Sequence, residues 1–232
     1  PPRVLKDIVR GVLQTLKGSA YGKPACVELF KLQYALARLV RQEGLLALDN
    51  HITHPNDSAL LKEHPRLHGN HHVRDFLCDS LALILDGTVE SAQLAEWLEE
   101  EIAVVEREHH AAVEALTKTA DSLPGFGIVA AVLGIVVTMQ SIGGPVDEIG
   151  YKVGAALVGT FLGILAAYGF VAPLAARMQA LGDQEILFFK AMAVGVVAMN
   201  DGASPKDVVA RARRIVGTEC RPNQAELKDM FG

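Results

Sequence analysis

Two long runs without a charged side chain constrain this sequence more than any other feature. The first extends from Ser122 to Val146 and the second from Val153 to Ala176. Each is longer than the roughly 20 apolar residues that are needed to cross about 30 Å of hydrocarbon. A surface helix of a soluble protein keeps a polar stripe toward water, and neither run has such a stripe. We therefore predict a pair of membrane spans rather than two buried core helices.

The remaining sequence has the periodicity of amphipathic helices, with no alternation typical of strands. The prediction is an all-α membrane protein, in which a transmembrane helical hairpin accompanies a large helical cytoplasmic domain. Its parts are a helical loop domain over 1–121, a first span over 122–146, a periplasmic loop over 147–152, a second span over 153–176 and a cytoplasmic helical tail over 177–232.

The positions of the basic residues predict the orientation of the hairpin. Cytoplasmic ends of spans carry an excess of Lys and Arg, and the short loop holds only Lys152. Arg107 and Lys118 precede the first span, and Arg177 and Lys190 follow the second. We expect both ends and the large loop on the cytoplasmic side. The chain does not begin with Met, and we expect further sequence before it.

The distribution of charge excludes nucleic acid as a partner. The first 41 residues are basic, but the net charge of the chain is −5, because residues 42–122 are rich in Asp and Glu. A nucleic-acid-binding domain needs a basic stripe. No Walker A, GxSxG, HExxH or CxxC motif occurs, so we do not expect an enzyme.

Cysteine and histidine residues also predict neither disulfides nor a metal site. The three cysteines are scattered and odd in number, which favours reduced thiols in a cytosol: Cys26, Cys78 and Cys220. Six histidines lie in one loop-like region, at spacings that fit no compact ligand set: His51, His54, His64, His68, His71 and His72.

Small residues are frequent in both spans and are expected to let helices approach closely. They are Gly125, Gly127, Ala130, Ala131 and Gly134 in the first span, and Gly154, Gly159 and Gly163 in the second. This packing could join the two spans, neighbouring subunits, or both. Pro124 is predicted at the start of the first span, where its missing N–H costs nothing. Pro173 falls near the end of the second span and predicts a kink or a hinge.

The spans contain no Asp, Glu, His, Lys or Arg. Their polar side chains include Thr138, Ser141, Thr160 and Tyr168. An ion that crosses here would therefore need a carboxylate from another chain or from sequence outside this one.

With these residues described, the sequence resembles the A subunits of the flagellar stator, the MotA family. The segments "SLPGFGIVAAVLGIVVTM" and "VGTFLGILAAYGFVAPLA" resemble that family's third and fourth spans. The segment "RQEGLLALD" resembles the charged stretch of its large cytoplasmic loop. The resemblance covers essentially the whole chain, which would lack the family's first two spans.

The resemblance implies a ring of A subunits in the bacterial inner membrane around a MotB dimer, turning against the rotor protein FliG. Ions, here expected to be protons, would pass beside a MotB carboxylate without any cofactor. Pro124, Pro173, Thr160 and Ala131 match positions of the ion path and its coupling; sodium-driven relatives have threonine at the position of Ala131. The rotor-facing positions matched are Arg41, Asp49, where the family often has Glu, and Glu101.

Two other functions are compatible with the residues alone. The first is an energiser of outer-membrane processes similar to ExbB and TolQ, although a large cytoplasmic segment before a closely spaced hairpin counts against it. The second is a helical membrane scaffold that conducts no ion.

Overall fold

A computed structural model describes residues 2–85, 87–140 and 142–231, and every regular element in these ranges is a helix. The helices are α1 (Pro2–Lys17), α2 (Lys23–Glu43), a 3₁₀ turn (Leu45–Leu48), α3 (Asp49–Thr53), α4 (Ala59–Lys62), α5 (Pro65–His68), α6 (His71–Leu85), α7 (Ser91–Met139), α8 (Val146–Ile164), a π-helical segment (Leu165–Val171), α9 (Ala172–Asn200), α10 (Pro205–Arg213) and α11 (Gln224–Phe231). The predicted all-α class is confirmed.

The chain divides into two compact units. The first, here called the span unit, comprises Pro1–Gly18 and Arg107–Leu181. The second, here called the core unit, comprises Ser19–Glu106 and Gly182–Gly232.

The apolar surface of the span unit faces outward. Among the described residues, two helices are long and apolar enough to cross a membrane, and only 17% and 11% of their most apolar windows are buried. A core helix of a soluble protein would be mostly buried, so a lipid or protein surface must cover these side chains. Large exposed side chains include Phe126, Leu133, Phe161 and Phe170.

The predicted boundaries of the spans differ from the ends of the helices. α7 ends at Met139, and α8 begins at Val146. The connection therefore precedes the predicted loop 147–152, which instead forms the start of α8. Asp147 and Glu148 occupy the first turn of α8, where negative charge favours the helix dipole. Ser141, one of the predicted polar groups, lies outside the described residues.

The core unit is built around α2, which is buried along one face and packs against α10. An aromatic cluster adds to this core: the rings of Phe76 and Phe189 meet edge to face at 5.0 Å, and Tyr21 lies 5.2 Å from Phe188. Burial of such rings is a main source of stabilisation for a domain of this size. The core unit therefore has a hydrophobic centre of its own.

Helix α10 shows how local sequence sets a helix start. The Ser204 hydroxyl accepts a hydrogen bond from the Asp207 N–H at 3.2 Å, and Pro205 is the first helical residue. The sequence Ser204, Pro205 and Asp207 predicts a helix start here, and the structure confirms it. The sequence also predicts that Gly217 stops the helix, but the helix ends earlier, at Arg213.

The core unit is expected to lose stability as the pH falls from 7.5 to 5.5, because of His64. This side chain is 7% exposed, and burial lowers its pKa below the usual 6.5. As the pH falls through the unfolded-state pKa of about 6.5, the unfolded chain binds more protons than the folded chain, so stability decreases across this range and is unaffected well above it. Thermal unfolding of the full chain in detergent should show a smaller loss for His64→Gln than for wild type. His54→Gln, at an exposed position, should retain the wild-type loss; equal losses in all three proteins would contradict this assignment.

Candidate functional site

Three glycines bring α7 and α8 into backbone contact. A Cβ atom placed on Gly127 would lie 2.8 Å from the Gly159 carbonyl oxygen and 3.0 Å from the Thr160 Cα. A Cβ atom on Gly163 would lie 2.7 Å from the Leu123 carbonyl oxygen. Since real Cβ atoms do not approach backbone so closely, only glycine permits this distance between the helices. The GxxxG pair of the second span therefore packs against the first span.

The predicted small residues differ in their contacts with the other helix of the hairpin. Gly134 continues the contact, because a Cβ atom there would lie 3.0 Å from the Ala156 Cα. Gly125 and Gly154 have open space where a side chain would be, so they do not join the two helices. In the sequence, Gly127, Ala131 and Gly134 are spaced so that they lie on one face of a helix. That spacing could have distinguished the small residues that contact the other helix from Gly125.

One side-chain hydrogen bond crosses this contact. The Thr160 hydroxyl donates to the Gly127 carbonyl oxygen at 3.2 Å. The hydroxyl oxygen keeps lone pairs that can accept a further hydrogen bond. By contrast, the Thr138 hydroxyl donates to Gly134 of its own helix at 2.8 Å. Thr160 is thus the polar group held between the two helices.

Ala131 lies in the same contact as Thr160. Its side chain is buried, with 8% of its surface exposed. Its backbone nitrogen lies 3.9 Å from the position that a Cβ atom on Gly159 would occupy. The two residues matched to ion selectivity and the ion path therefore occupy one region, although the role of each stays a prediction.

The prediction that Pro124 begins a helix is wrong. Helix α7 runs without interruption from Ser91 to Met139, and Pro124 lies inside it. The proline ring removes the hydrogen bond that this position would otherwise give to the Ala120 carbonyl. Pro124 follows Leu123, whose carbonyl oxygen faces Gly163. The weakened turn is therefore beside the helix contact.

Pro173 lies just beyond an irregular segment. Residues Leu165–Val171 form π-helical turns, and α9 begins at Ala172. A proline at this position removes the hydrogen bond to the Gly169 carbonyl, and π turns are a usual way for a helix to accommodate such a loss. Tyr168, which is 62% exposed, belongs to the π segment. The sequence predicted an irregularity here but not its form.

The three predicted rotor-facing residues are all exposed side chains of the core unit. Arg41 is in the last turn of α2. Asp49 starts α3, and its carboxylate accepts a hydrogen bond from Thr53 at 3.2 Å. Glu101 lies on α7. In the part of the chain that the structure describes, no hydrogen bond or ion pair joins these three side chains to one another.

Glu101 has an unfavourable electrostatic position. Partial burial, together with the nearby carboxylate of Asp79, raises the pKa of Glu101 above its usual value. The raised pKa means that the ionised form is destabilised in the folded protein. A partner that brings a positive charge to Glu101 would relieve this cost.

The described residues form no cluster of metal ligands. Across residues 2–85, 87–140 and 142–231, no group of three or more His, Cys, Asp or Glu side chains is placed to hold a metal ion. Within the described residues, the span unit contains a close helix pair, the Thr160 hydroxyl that forms a hydrogen bond between the two helices, and a large exposed apolar surface.

Comparison with known proteins finds a matching family and several similar proteins. A family model described as the MotA/TolQ/ExbB proton channel family matches residues 68–191. Motility protein A of Escherichia coli (strain K12) is 33% identical, over 98% of this chain and 77% of that protein. Chemotaxis protein LafT of Vibrio parahaemolyticus is 37% identical, over 85% of this chain and 70% of that protein.

The fold is similar to that of a solved complex as well. A chain in the structure of the flagellar MotAB stator complex from Bacillus subtilis matches with a TM-score of 0.68 and 26% identity. The match covers 87% of this chain and 70% of that chain.

Proposed function

This chain belongs to the MotA/TolQ/ExbB proton channel family, and we infer that it is the A subunit of a flagellar stator in the bacterial inner membrane. The observation that carries this inference is the similarity to Motility protein A over 98% of the chain. The close helix pair without an ionisable side chain supports it, because such a pair supplies only the wall of an ion path. The family is one of ion channels rather than enzymes.

The partner that completes the path is proposed to be MotB, as a dimer inside a ring of A subunits. The similar solved structure from Bacillus subtilis is that of a MotAB stator complex, which supports this choice of partner. A membrane carboxylate is expensive unless it faces a pathway or a partner. A MotB carboxylate beside Thr160 would fill that role, with the Thr160 oxygen accepting a hydrogen bond during ion transit. Lipid and neighbouring subunits would cover the remaining apolar surface.

The transported ion is proposed to be the proton. A buried methyl group at Ala131 supplies no oxygen ligand to sodium in the region of Thr160. One charge that crosses 100 mV releases about 2.3 kcal/mol, several times RT, which suffices to bias a small rotation per ion. Swimming speed should be independent of sodium at fixed pH and should collapse with a protonophore. A speed that follows sodium would contradict the assignment.

A deletion strain tests the function itself. Loss of the gene should leave flagella assembled but motionless, and the gene supplied in trans should restore swimming. Normal swimming with failed siderophore or colicin uptake would instead indicate an energiser of the ExbB and TolQ kind. Neither defect would indicate a scaffold.

The topology that this function needs follows from the basic residues. Both ends and the large loop would be cytoplasmic, and the connection between α7 and α8 would face the periplasm. The core unit would then meet the rotor protein FliG through Arg41, Asp49 and Glu101.

Reversal of charge at Arg41 is expected to reduce torque strongly while the protein still assembles. The Arg41 side chain is exposed and forms no ion pair within the described residues, so Arg41→Glu should alter a contact with the rotor rather than the fold. Torque measured on tethered cells should fall, and a reversed charge on FliG should restore part of it. Arg38→Glu is the matched control, since Arg38 is also exposed on α2. Equal torque for wild type and Arg41→Glu would remove Arg41 from the rotor surface.

Replacement of Pro173 by alanine is expected to slow rotation without loss of assembly. Alanine restores the N–H that can bond to the Gly169 carbonyl, and the π segment should then revert toward a regular α-helix. Rotation speed at low load reports the coupling, and the amount of complex recovered from membranes reports assembly. Loss of the complex would favour a purely structural role for Pro173.

A further inference from the structure

Two of the three cysteines meet in the core unit. The Cys26 thiol lies 3.9 Å from the Tyr21 carbonyl oxygen, and the Cys220 thiol lies 3.7 Å from the same oxygen. The electrostatic influence of Cys220 on the pKa of Cys26 also identifies the two thiols as neighbours. Since both thiols approach one carbonyl oxygen, a short movement of the half-buried Cys220 would bring them to the separation at which a disulfide forms.

The two thiols differ in their access to solvent. Cys26 is in the first turns of α2 and is 1% exposed. Cys220 is half-buried, in the connection between α10 and α11. Both line an open cavity of about 200 Å³ together with Tyr21, Gln184, Thr218 and Glu219. A small oxidant can therefore enter beside Cys220 while Cys26 forms the inner wall.

We propose that Cys26 and Cys220 form a reversible disulfide, a modification site at which the core unit responds to peroxide. The oxidant is hydrogen peroxide, which converts the Cys220 thiol to a sulfenic acid and is itself reduced to water. The Cys26 sulfur then attacks the Cys220 sulfur, the sulfur–oxygen bond breaks, and the hydroxide leaves with the Cys26 proton as a second water. A small dithiol reverses the reaction by thiol–disulfide exchange.

The environment assigns the order of these steps. Burial raises the pKa of the Cys26 thiol, and only 1% of its surface is exposed, so an oxidant in solution meets the more accessible Cys220 before it meets Cys26. Cys220, which borders the cavity, reacts first, and Cys26 resolves the sulfenic acid. Disulfides of this kind in a reducing cytosol are typically redox-sensing rather than structural.

The bond would link the beginning of α2 to the segment that leads into α11. Helix α11, which follows that segment, is already held against α2: Glu226 accepts a hydrogen bond from Lys23 at 2.6 Å, and Phe231 stacks on Tyr34 with ring centroids 4.4 Å apart. The crosslink would therefore fix a docked segment rather than pull a distant one into place. It would raise the unfolding temperature of the core unit, because it restricts the unfolded chain over a long loop.

Thiol counting on the full chain in detergent tests the proposal. After brief peroxide treatment and removal of the oxidant, maleimide added to the denatured chain should label one cysteine instead of three, and the mass of the unlabelled chain should decrease by two hydrogen atoms. Peptide mapping should find Cys26 joined to Cys220, and dithiothreitol should restore three labels. The Cys78→Ser variant is the matched control: Cys78 is buried and does not line the cavity beside Cys26 and Cys220, so this variant should still form the crosslink. Cys220→Ser should lose peroxide-dependent crosslinking and retain a labelled Cys26 on denaturation.

Several results would overturn the proposal. They are retention of three free thiols under conditions that fully oxidise glutathione, a crosslink that includes Cys78, or a crosslink between two chains. Because the mapping uses the wild-type chain, the outcome does not depend on the folding of any variant. The result is also independent of the ion path and the rotor surface, since both cysteines are in the core unit.

Discussion

Leucine at Gly163 is expected to abolish motility and to prevent recovery of an intact stator complex. Even a single Cβ atom at this position would lie 2.7 Å from the Leu123 carbonyl oxygen and 3.1 Å from the Gly127 Cα. Both are backbone atoms, so no side-chain rotation can relieve the overlap, and α7 and α8 must move apart. Separation would also lengthen the hydrogen bond between the Thr160 hydroxyl and the Gly127 carbonyl.

The two spans provide a matched control for this substitution. Gly154 lies on the same helix as Gly163, yet nothing is within 4 Å of its added Cβ position. Gly154→Leu changes helix propensity and hydrophobicity in the same direction as Gly163→Leu. Swimming in soft agar, together with the yield of complex after affinity purification, should separate the two variants clearly. Equal motility of Gly163→Leu and wild type would show that the helices do not pack through this glycine.

The sequence anticipated the helical class and the two spans because the responsible signals are long and local. A run of uncharged residues from Ser122 to Val146 has only one inexpensive environment. The cap at Ser204, at the start of α10, depends on only a few neighbouring residues, and the structure confirms it. Such features need no knowledge of what each helix contacts.

Other features depended on tertiary context that a single sequence does not contain. The sequence predicts Pro124 at the start of the first span, in the first turn of a helix, because prolines favour first turns. The structure shows a helix already formed upstream, through Leu94, Leu98 and Ile102, which are buried in the core unit. The π segment before Pro173 depends in the same way on how the chain absorbs one missing hydrogen bond.

The candidate site also combines features that the sequence predicts with features that depend on tertiary structure. Small residues marked the packing face, but the distinction between Gly127 and Gly125 required the position of α8. The rotor-facing roles of Arg41, Asp49 and Glu101 are implied by the resemblance alone. No hydrogen bond or ion pair within the described part of the chain joins these side chains, so their shared role stays a prediction.

Alanine at Gly195 is expected to destabilise the core unit by overpacking against Gln33. Its Cβ would lie 2.1 Å from Nε2 of Gln33, a side chain with no exposed surface. That amide donates to the Ala191 carbonyl at 3.1 Å and to the Met192 carbonyl at 3.2 Å. Overpacking costs about 1–3 kcal/mol, and loss of these hydrogen bonds adds about 1 kcal/mol each. The unfolding temperature of the full chain in detergent should fall by several degrees.

A second substitution tests whether the loss of stability in Gly195→Ala comes from the overlap with Gln33. Gln33→Ala opens the space that the new methyl group needs, so the double variant should be more stable than the sum of the single effects predicts, by about 1–3 kcal/mol. Gly217→Ala, in the same unit with nothing within 4 Å of the added atom, should change little. Strict additivity of the Gln33 and Gly195 effects would contradict the contact. Gln33 and Arg41 lie on the same helix, α2, so a shift of this helix in the Gly195→Ala variant should also reduce torque. Adding Gln33→Ala should restore part of that torque. Neither Gly195 nor Gln33 would itself touch the rotor or the ion.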